Sequence, residues 1–172
     1  HQDDLVVVSL QELHRELHER YGALAATGSY DKSPAAMAQR SLRNMCLSYL
    51  VHTSGGFALA EAQLSRSDNM TDTLAALQGL VHNAAPQAPA ALADFEERWR
   101  RDALVMDKWF TIQACVPGAG TVDRVRSLTA HPAFSITNPN KVRSLLGAFS
   151  TLNPTAFHAR SGAGYQLHAE QV

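Results

Sequence analysis

Apolar residues recur along this chain at spacings of three and four, and no stretch alternates strictly between apolar and polar. That pattern predicts helices throughout and no half-buried strand. In the first segment Leu10, Leu13, Leu17, Tyr21 and Leu24 share one face, with Glu12, Glu16 and Glu19 on the other. Ser33 followed by Pro34 predicts a capped start for the second helix. Its expected buried stripe is Ala38, Leu42, Met45, Cys46 and Tyr49, and Gly55-Gly56 is expected to end it. A short helix over 57–64 follows, and Asn69 or Thr71 is placed to cap the next, which carries Leu74, Leu77, Leu80 and Val81.

The break over 85–89, with Pro86 and Pro89, precedes a helix striped by Leu92, Phe95 and Trp99. Residues 104–116 differ, because apolar side chains cover nearly the whole circumference there. Such a helix is expected to be buried on most sides. Trp99 and Trp109 read as core anchors, while Asp107-Lys108, in the middle of the most apolar helix, must find partners or face a cavity. Val122, Val125 and Leu128 predict a short helix closed by His131-Pro132. Asn138-Pro139 is expected to open a helix carrying Val142, Leu145, Leu146 and Phe149, and Asn153-Pro154 one carrying Phe157. Gly162 and Gly164 precede a last segment from Tyr165 with no stop signal at Val172. The expected fold is all-α: roughly eight or nine helices in an irregular array of stacked antiparallel pairs, a HEAT- or armadillo-like superhelix, incomplete at both ends.

Composition supports a packed core: 172 residues, 45% of them hydrophobic. With 15 basic against 16 acidic side chains the net charge is −1, which offers no field for nucleic acid or an acidic membrane surface. No apolar run approaches the roughly 18 residues of a membrane span, and the N-terminus lacks the pattern of a signal peptide. Cys46 and Cys115 lie far apart in helical patterns and read as reduced core thiols, so a cytoplasmic location is expected.

The most tempting metal constellation is His14 and His18, four apart on one helix face. A zinc peptidase of the H-E-x-x-H type needs glutamate directly after the first histidine, and Arg15 stands there. The His18-Glu19 dipeptide fails too, because Gly22 occupies the place of its second histidine. No metal site is therefore expected, and His52, His82, His131, His158 and His168 have no partner at ligand spacing. Nucleophile elbows and phosphate-binding loops have no counterpart either. The remaining candidate is Asn138-Pro139-Asn140-Lys141-Val142-Arg143, which puts Lys141 and Arg143 in the first turn of a helix, where the dipole disfavours cations. Two readings stay open: a carboxylate from a neighbouring helix, or a basic group aimed at a ligand carboxylate or a substrate backbone.

Several strings in order resemble the M1 zinc aminopeptidases of bacterial type. They are Arg40 to Leu50 (RSLRNMCLSYL), Asn69 to Leu77 (NMTDTLAAL), Leu104 to Phe110 (LVMDKWF), and the run from Phe134 through the Asn138–Arg143 string to Gly162-Ala163-Gly164-Tyr165. The likeness covers residues 33–172. It implies that residues 1–172 are a fragment of the C-terminal helical domain, which in that family encloses a cavity over the zinc site. By the same resemblance, the parent removes N-terminal amino acids from peptides, zinc and all catalytic residues lie outside this chain, and the chain alone is inactive. The implied partners are the parent's own catalytic domain and a peptide substrate in the cavity. The site residues it implies are Arg143, looking toward the cavity, and Lys141, its weaker neighbour. The alternative reading is a stand-alone helical scaffold that binds another protein.

Overall fold

The computed structural model describes residues 2–25 and 28–171, with side chains from Ser9 onward; His1 and Val172, at the ends of the expected run, lie outside the described residues. Only helices occur among them. The chain divides at the expected break into two compact units, residues 1–85 and 86–172.

The first unit contains α1 (Gln2–Ala23), α2 (Pro34–Leu50), α3 (Gly56–Arg66) and α4 (Met70–His82). Ser33 caps α2 by accepting from the Ala36 amide, and Asn69 caps α4 by accepting from the Asp72 amide at 2.9 Å. These local bonds fix both starts as the sequence predicts. α2 ends at Leu50, before the two glycines. Gly55 follows in the left-handed region at φ 83°, and Gly56 starts α3 so close beneath the end of α2 that a Cβ there would overlap the Leu50 carbonyl oxygen.

α1 and α2 run antiparallel. The Gln39 amide donates to the Leu24 carbonyl at 3.1 Å at one end, and His14 Nε2 meets Thr53 Oγ1 at 3.2 Å at the other. Between the helices lies a connected polar cluster. Tyr21 donates to Gln63 Oε1, the Gln63 amide donates to Asn44 Oδ1 and the Asp72 carbonyl, and the Asn44 amide donates to Asp72 Oδ1. Tyr21, Gln63, Asn44 and Asp72 thereby each have a partner, the condition for burying them without a large penalty. Around it, Leu47, Leu50, Leu77 and Leu80 are fully buried.

The face that α2 buries is only partly the expected one, sharing Cys46 with it. Cys46, Leu47 and Leu50 point inward, whereas Leu42, Met45 and Tyr49 are exposed, as are Leu10 and Leu13 of α1. The polar cluster determines this: Arg43 stacks on the Tyr21 ring and Asn44 bonds Asp72, so the side of α2 carrying residues 43, 44, 47 and 50 must face the unit.

The second unit is centred on α6 (Ala103–Ala114), preceded by α5 (Ala88–Trp99) and followed by α7 (Thr121–Thr129). Asp102 caps α6 by accepting from the Leu104 and Val105 amides. Val105, Met106, Trp109, Phe110, Ile112 and Ala114 are buried, as the circumferential pattern predicts, while Leu104 is exposed. Trp109 donates from Nε1 to the Leu92 carbonyl at 3.0 Å, tying α6 to α5. Trp99 is only half-buried, with Arg98 over its ring.

Next come α8 (Pro139–Val142), a π-turn over Arg143–Gly147 and α9 (Ala148–Leu152), running as one continuous helix, then α10 (Pro154–Phe157) and α11 (Ala163–Glu170). Counting that continuous helix once gives ten helices among the described residues. Asn138 caps α8 as expected, accepting from the Asn140 amide at 3.0 Å. Asn153 does not cap α10. Its amide donates to the Ala114 and Val116 carbonyls at 3.1 and 2.8 Å, satisfying the carbonyls left free where α6 ends. At Gly164 a Cβ would overlap the Phe157 carbonyl, so α11 approaches α10 at a distance only glycine permits.

Replacing Trp109 with alanine should lower the unfolding free energy by about 3–5 kcal/mol, measured by urea denaturation. A second expectation concerns Tyr21, whose phenol burial pushes above its ordinary value of 10.0, outweighing the Arg43 guanidinium on its ring. A raised value in the folded chain means this stabilisation is complete below about pH 10 and is lost as pH climbs through the folded-state value. Alkaline spectrophotometric titration should show a late phenolate step that Tyr21→Phe removes.

Candidate functional site

The basic turn is built where α8 crosses the start of α6. Both helices have capped, sharply defined first turns, from Asp102 and Asn138, so the groups in those turns are held in place. Lys141 and Arg143 are two residues apart and therefore project about 200° apart around the helix. One turns inward and the other outward.

Lys141 is buried, 6% exposed. Its Nζ donates to Asp107 Oδ1 at 2.7 Å and to the Ala103 carbonyl at 2.9 Å, and it lies 5.6 Å from the centre of the Phe110 ring. Ser144 Oγ adds a longer contact to the same Asp107 oxygen at 3.4 Å. Asp107 thus receives its counter-charge from a helix 34 residues further along the chain. Of the two readings open in the sequence, the neighbouring carboxylate holds for Lys141. The long lysine stem carries the ammonium to α6, where the Asp107 carboxylate and the Ala103 carbonyl balance its charge.

Arg143 is exposed, and its side chain makes no hydrogen bond or ion pair within 4 Å of another described residue. It opens the π-turn, in which the Ala148 amide donates back five residues to the Arg143 carbonyl. Such widened turns are rare and concentrate at functional positions. This one is braced from outside: Thr111 Oγ1 lies 3.0 Å from the Ser144 carbonyl, and His168 Nε2 lies 3.3 Å from the Leu146 carbonyl. Side chains from α6 and α11 thus approach carbonyls of this turn, the Thr111 hydroxyl lying equally close to the Asp107 carbonyl of its own helix. Sequence reasoning missed the π-turn, although one signal was available. Ser144, Leu145, Leu146, Ala148 and Phe149 are all buried, a run too dense for one stripe of a regular α-helix.

Four histidines, His14, His131, His158 and His168, make hydrogen bonds within the fold. His14 bonds Thr53, and its ring centre lies 6.3 Å from that of His18. His131 accepts from the Ala133 amide at Nδ1, so its Nε2 carries the proton and donates to Glu96 at 3.0 Å, with the ring packed against Trp109 and Phe110. His158 meets the Tyr165 hydroxyl at 2.6 Å. Among the described residues no three His, Cys, Asp or Glu side chains converge as metal ligands, and a zinc ion takes at least three. Cys46 and Cys115 are both free, and burial pushes the Cys115 thiol up from its ordinary value.

Comparison with known proteins extends this picture. The family described as a domain of unknown function (DUF3458_C) with ARM repeats matches residues 4–172. The aminopeptidase N of Haemophilus influenzae is 43% identical over 138 residues, covering 80% of this chain and 16% of that protein. That of Escherichia coli is 42% identical over 138 residues, covering 79% and 16%. For Caulobacter vibrioides aminopeptidase N the identity is 36% over 169 residues, covering 97% and 19%. The chain thus spans between 16% and 19% of the length of these curated relatives. Among solved structures, Legionella pneumophila aminopeptidase A in complex with aspartic acid is similar at a TM-score of 0.84 and 32% identity, over 98% of this chain and 21% of that one.

The Lys141–Asp107 pair yields a stability test. Asp107→Leu alone leaves a buried ammonium without its counter-charge and should cost about 3–5 kcal/mol. Adding Lys141→Met should recover much of that loss, and urea midpoints of both single variants and the double variant measure the coupling.

Proposed function

This chain belongs to the DUF3458_C family of ARM-repeat domains, and we propose that it is the cavity-enclosing helical domain of an M1-type zinc aminopeptidase. The observation that carries the reading is its 36–43% identity to three proteins named aminopeptidase N. The parent enzyme hydrolyses N-terminal amino acids from peptides. Its zinc, when bound on the catalytic domain, supplies an activated water; the chain described here supplies a wall of the chamber around it.

Within that wall Arg143 is the residue that meets substrate. An unpaired guanidinium is a planar donor suited to a carboxylate or to backbone carbonyls, so it recognises the peptide on the side away from the N-terminal residue being removed. Lys141 acts through position. Its ammonium is occupied by Asp107 and the Ala103 carbonyl, and it anchors the turn from which Arg143 projects. The partners are the parent's catalytic domain and the peptide. A cytoplasmic location goes with this reading, supported by two free cysteines.

The purified 172-residue chain, supplied with zinc, should not turn over an aminoacyl arylamide; turnover would place the chemistry on this chain. In the parent, Arg143→Ala should reduce kcat/KM for peptides by about tenfold to a hundredfold, the loss of one charge-assisted hydrogen bond, or shift the preferred peptide length. Its thermal midpoint should not move. Unchanged kinetics would assign Arg143 a purely structural role.

A further inference from the structure

Leu24, the loop over residues 28–31, the first half of α2 and the start of α4 enclose a polar cavity of about 260 Å³ within the first unit. Arg40 and Arg43 of α2 line it together with Asp68 and Asp72, which flank the Asn69 cap of α4. Among the described residues these opposite charges do not pair: no carboxylate lies within 4 Å of either guanidinium, and no cation within 4 Å of either carboxylate. Neutral groups hold each of them instead. Arg40 donates from Nη1 to the Asp31 carbonyl at 2.8 Å and sits over the Tyr30 ring. Arg43 sits over the Tyr21 ring, 4.4 Å from its centre, and its Nε is buried without a hydrogen-bond partner. Asp72, 6% exposed, accepts from the Asn44 and Asn69 amides at 2.8 and 3.0 Å, and Asp68 accepts from the Asn69 amide at 3.0 Å. Asp31 also lines the cavity, but Ser33 donates to both of its carboxylate oxygens.

Solvated surface charges need no ligand. A buried carboxylate with only neutral donors keeps its charge uncompensated, however, and a buried guanidinium nitrogen without an acceptor is costly. Their separate supports keep the two signs apart, so the cavity presents both at once. An anion alone would lie beside Asp68 and Asp72, and a cation alone beside Arg40 and Arg43; like charges penalise either. A small molecule carrying both charges satisfies both sets. We propose that this cavity binds a free α-amino acid, its carboxylate on Arg40 and Arg43 and its ammonium on Asp68 and Asp72. The volume is below the roughly 300–1,000 Å³ of pockets that take drug-sized ligands, which suits a molecule of this size. Leu24 and Ala36 add apolar wall for its side chain. The inference does not depend on the reading of the parent.

The test titrates the 172-residue chain calorimetrically with L-alanine, beside propionate, which lacks the ammonium, and ethylamine, which lacks the carboxylate. L-Alanine should bind at one site with a Kd of about 1 mM or tighter, and each single-charge analogue about tenfold or more weakly. Arg43→Met and Asp68→Asn should each weaken L-alanine binding by about tenfold or more. Because Arg43 also stacks on Tyr21, the exposed Asp68 carries the test if the Arg43 variant does not fold, which circular dichroism reports. A chain that takes up no L-alanine at about 10 mM overturns the proposal. Propionate or ethylamine binding as tightly as L-alanine also overturns it, by leaving a site for one charge only. A folded Asp68→Asn chain with unchanged affinity does the same. None of these outcomes bears on peptidase activity in a parent, because the chain is titrated alone.

Discussion

A carboxylate in the middle of the most apolar helix must be neutralised, and much of the second unit follows from how Asp107 is neutralised. In a low-dielectric interior an unpaired charge costs several kcal/mol, while a hydrogen-bonded pair is tolerated. Lys141 provides the partner from 34 residues away, at 2.7 Å. That bond ties the first turn of α8 to the first half of α6. Thr111, one turn beyond Asp107, then stands opposite the Ser144 carbonyl and can brace the π-turn. The same geometry turns Arg143 outward, because residues two apart on a helix cannot both face α6.

How much of this was legible depended on range. The caps at Ser33, Asn69 and Asn138 were readable because each bond closes within three residues, so the sequence neighbourhood contains both partners. Asn153 looked identical to Asn138, standing before a proline, yet its amide serves the end of α6 instead. Nothing local distinguishes them; the difference lies in which chain segment passes nearby. Lys141 posed the same difficulty, and the sequence could only leave its two readings open. The helix over 104–116 was legible because an all-round apolar pattern admits one environment, and six of its apolar side chains are indeed buried.

The α2 stripe was read as buried, yet of it Cys46 is buried while Leu42, Met45 and Tyr49 lie on the surface, and that disagreement has physical content. Periodicity reports that a face avoids water without saying which surface covers it. Within the first unit the inward face of α2 is chosen by polar geometry, through Arg43 on Tyr21 and Asn44 on Asp72, not by the most hydrophobic stripe. A helix can bury a weaker face locally and keep its stronger one outward when a further element covers the latter.

Catalytic function was the least legible property from residue chemistry, for a reason that suits the proposed role. A wall that encloses a chamber needs no nucleophile, base or metal ligand, so its side chains leave no catalytic signature. The near-matches to a zinc motif fail at Arg15 and Gly22, and in the structure His14 is engaged with Thr53. What such a wall does need is a rigid support for any group that reads the substrate. Arg143 has one: a π-turn held by α6 and α11 from outside and anchored by a buried ion pair at Lys141, two residues earlier. A backbone fixed on three sides leaves only the side chain itself to be ordered on binding. The irregular turn and the buried pair beneath it thus fit the proposal that this position meets a ligand better than they fit an ordinary surface helix.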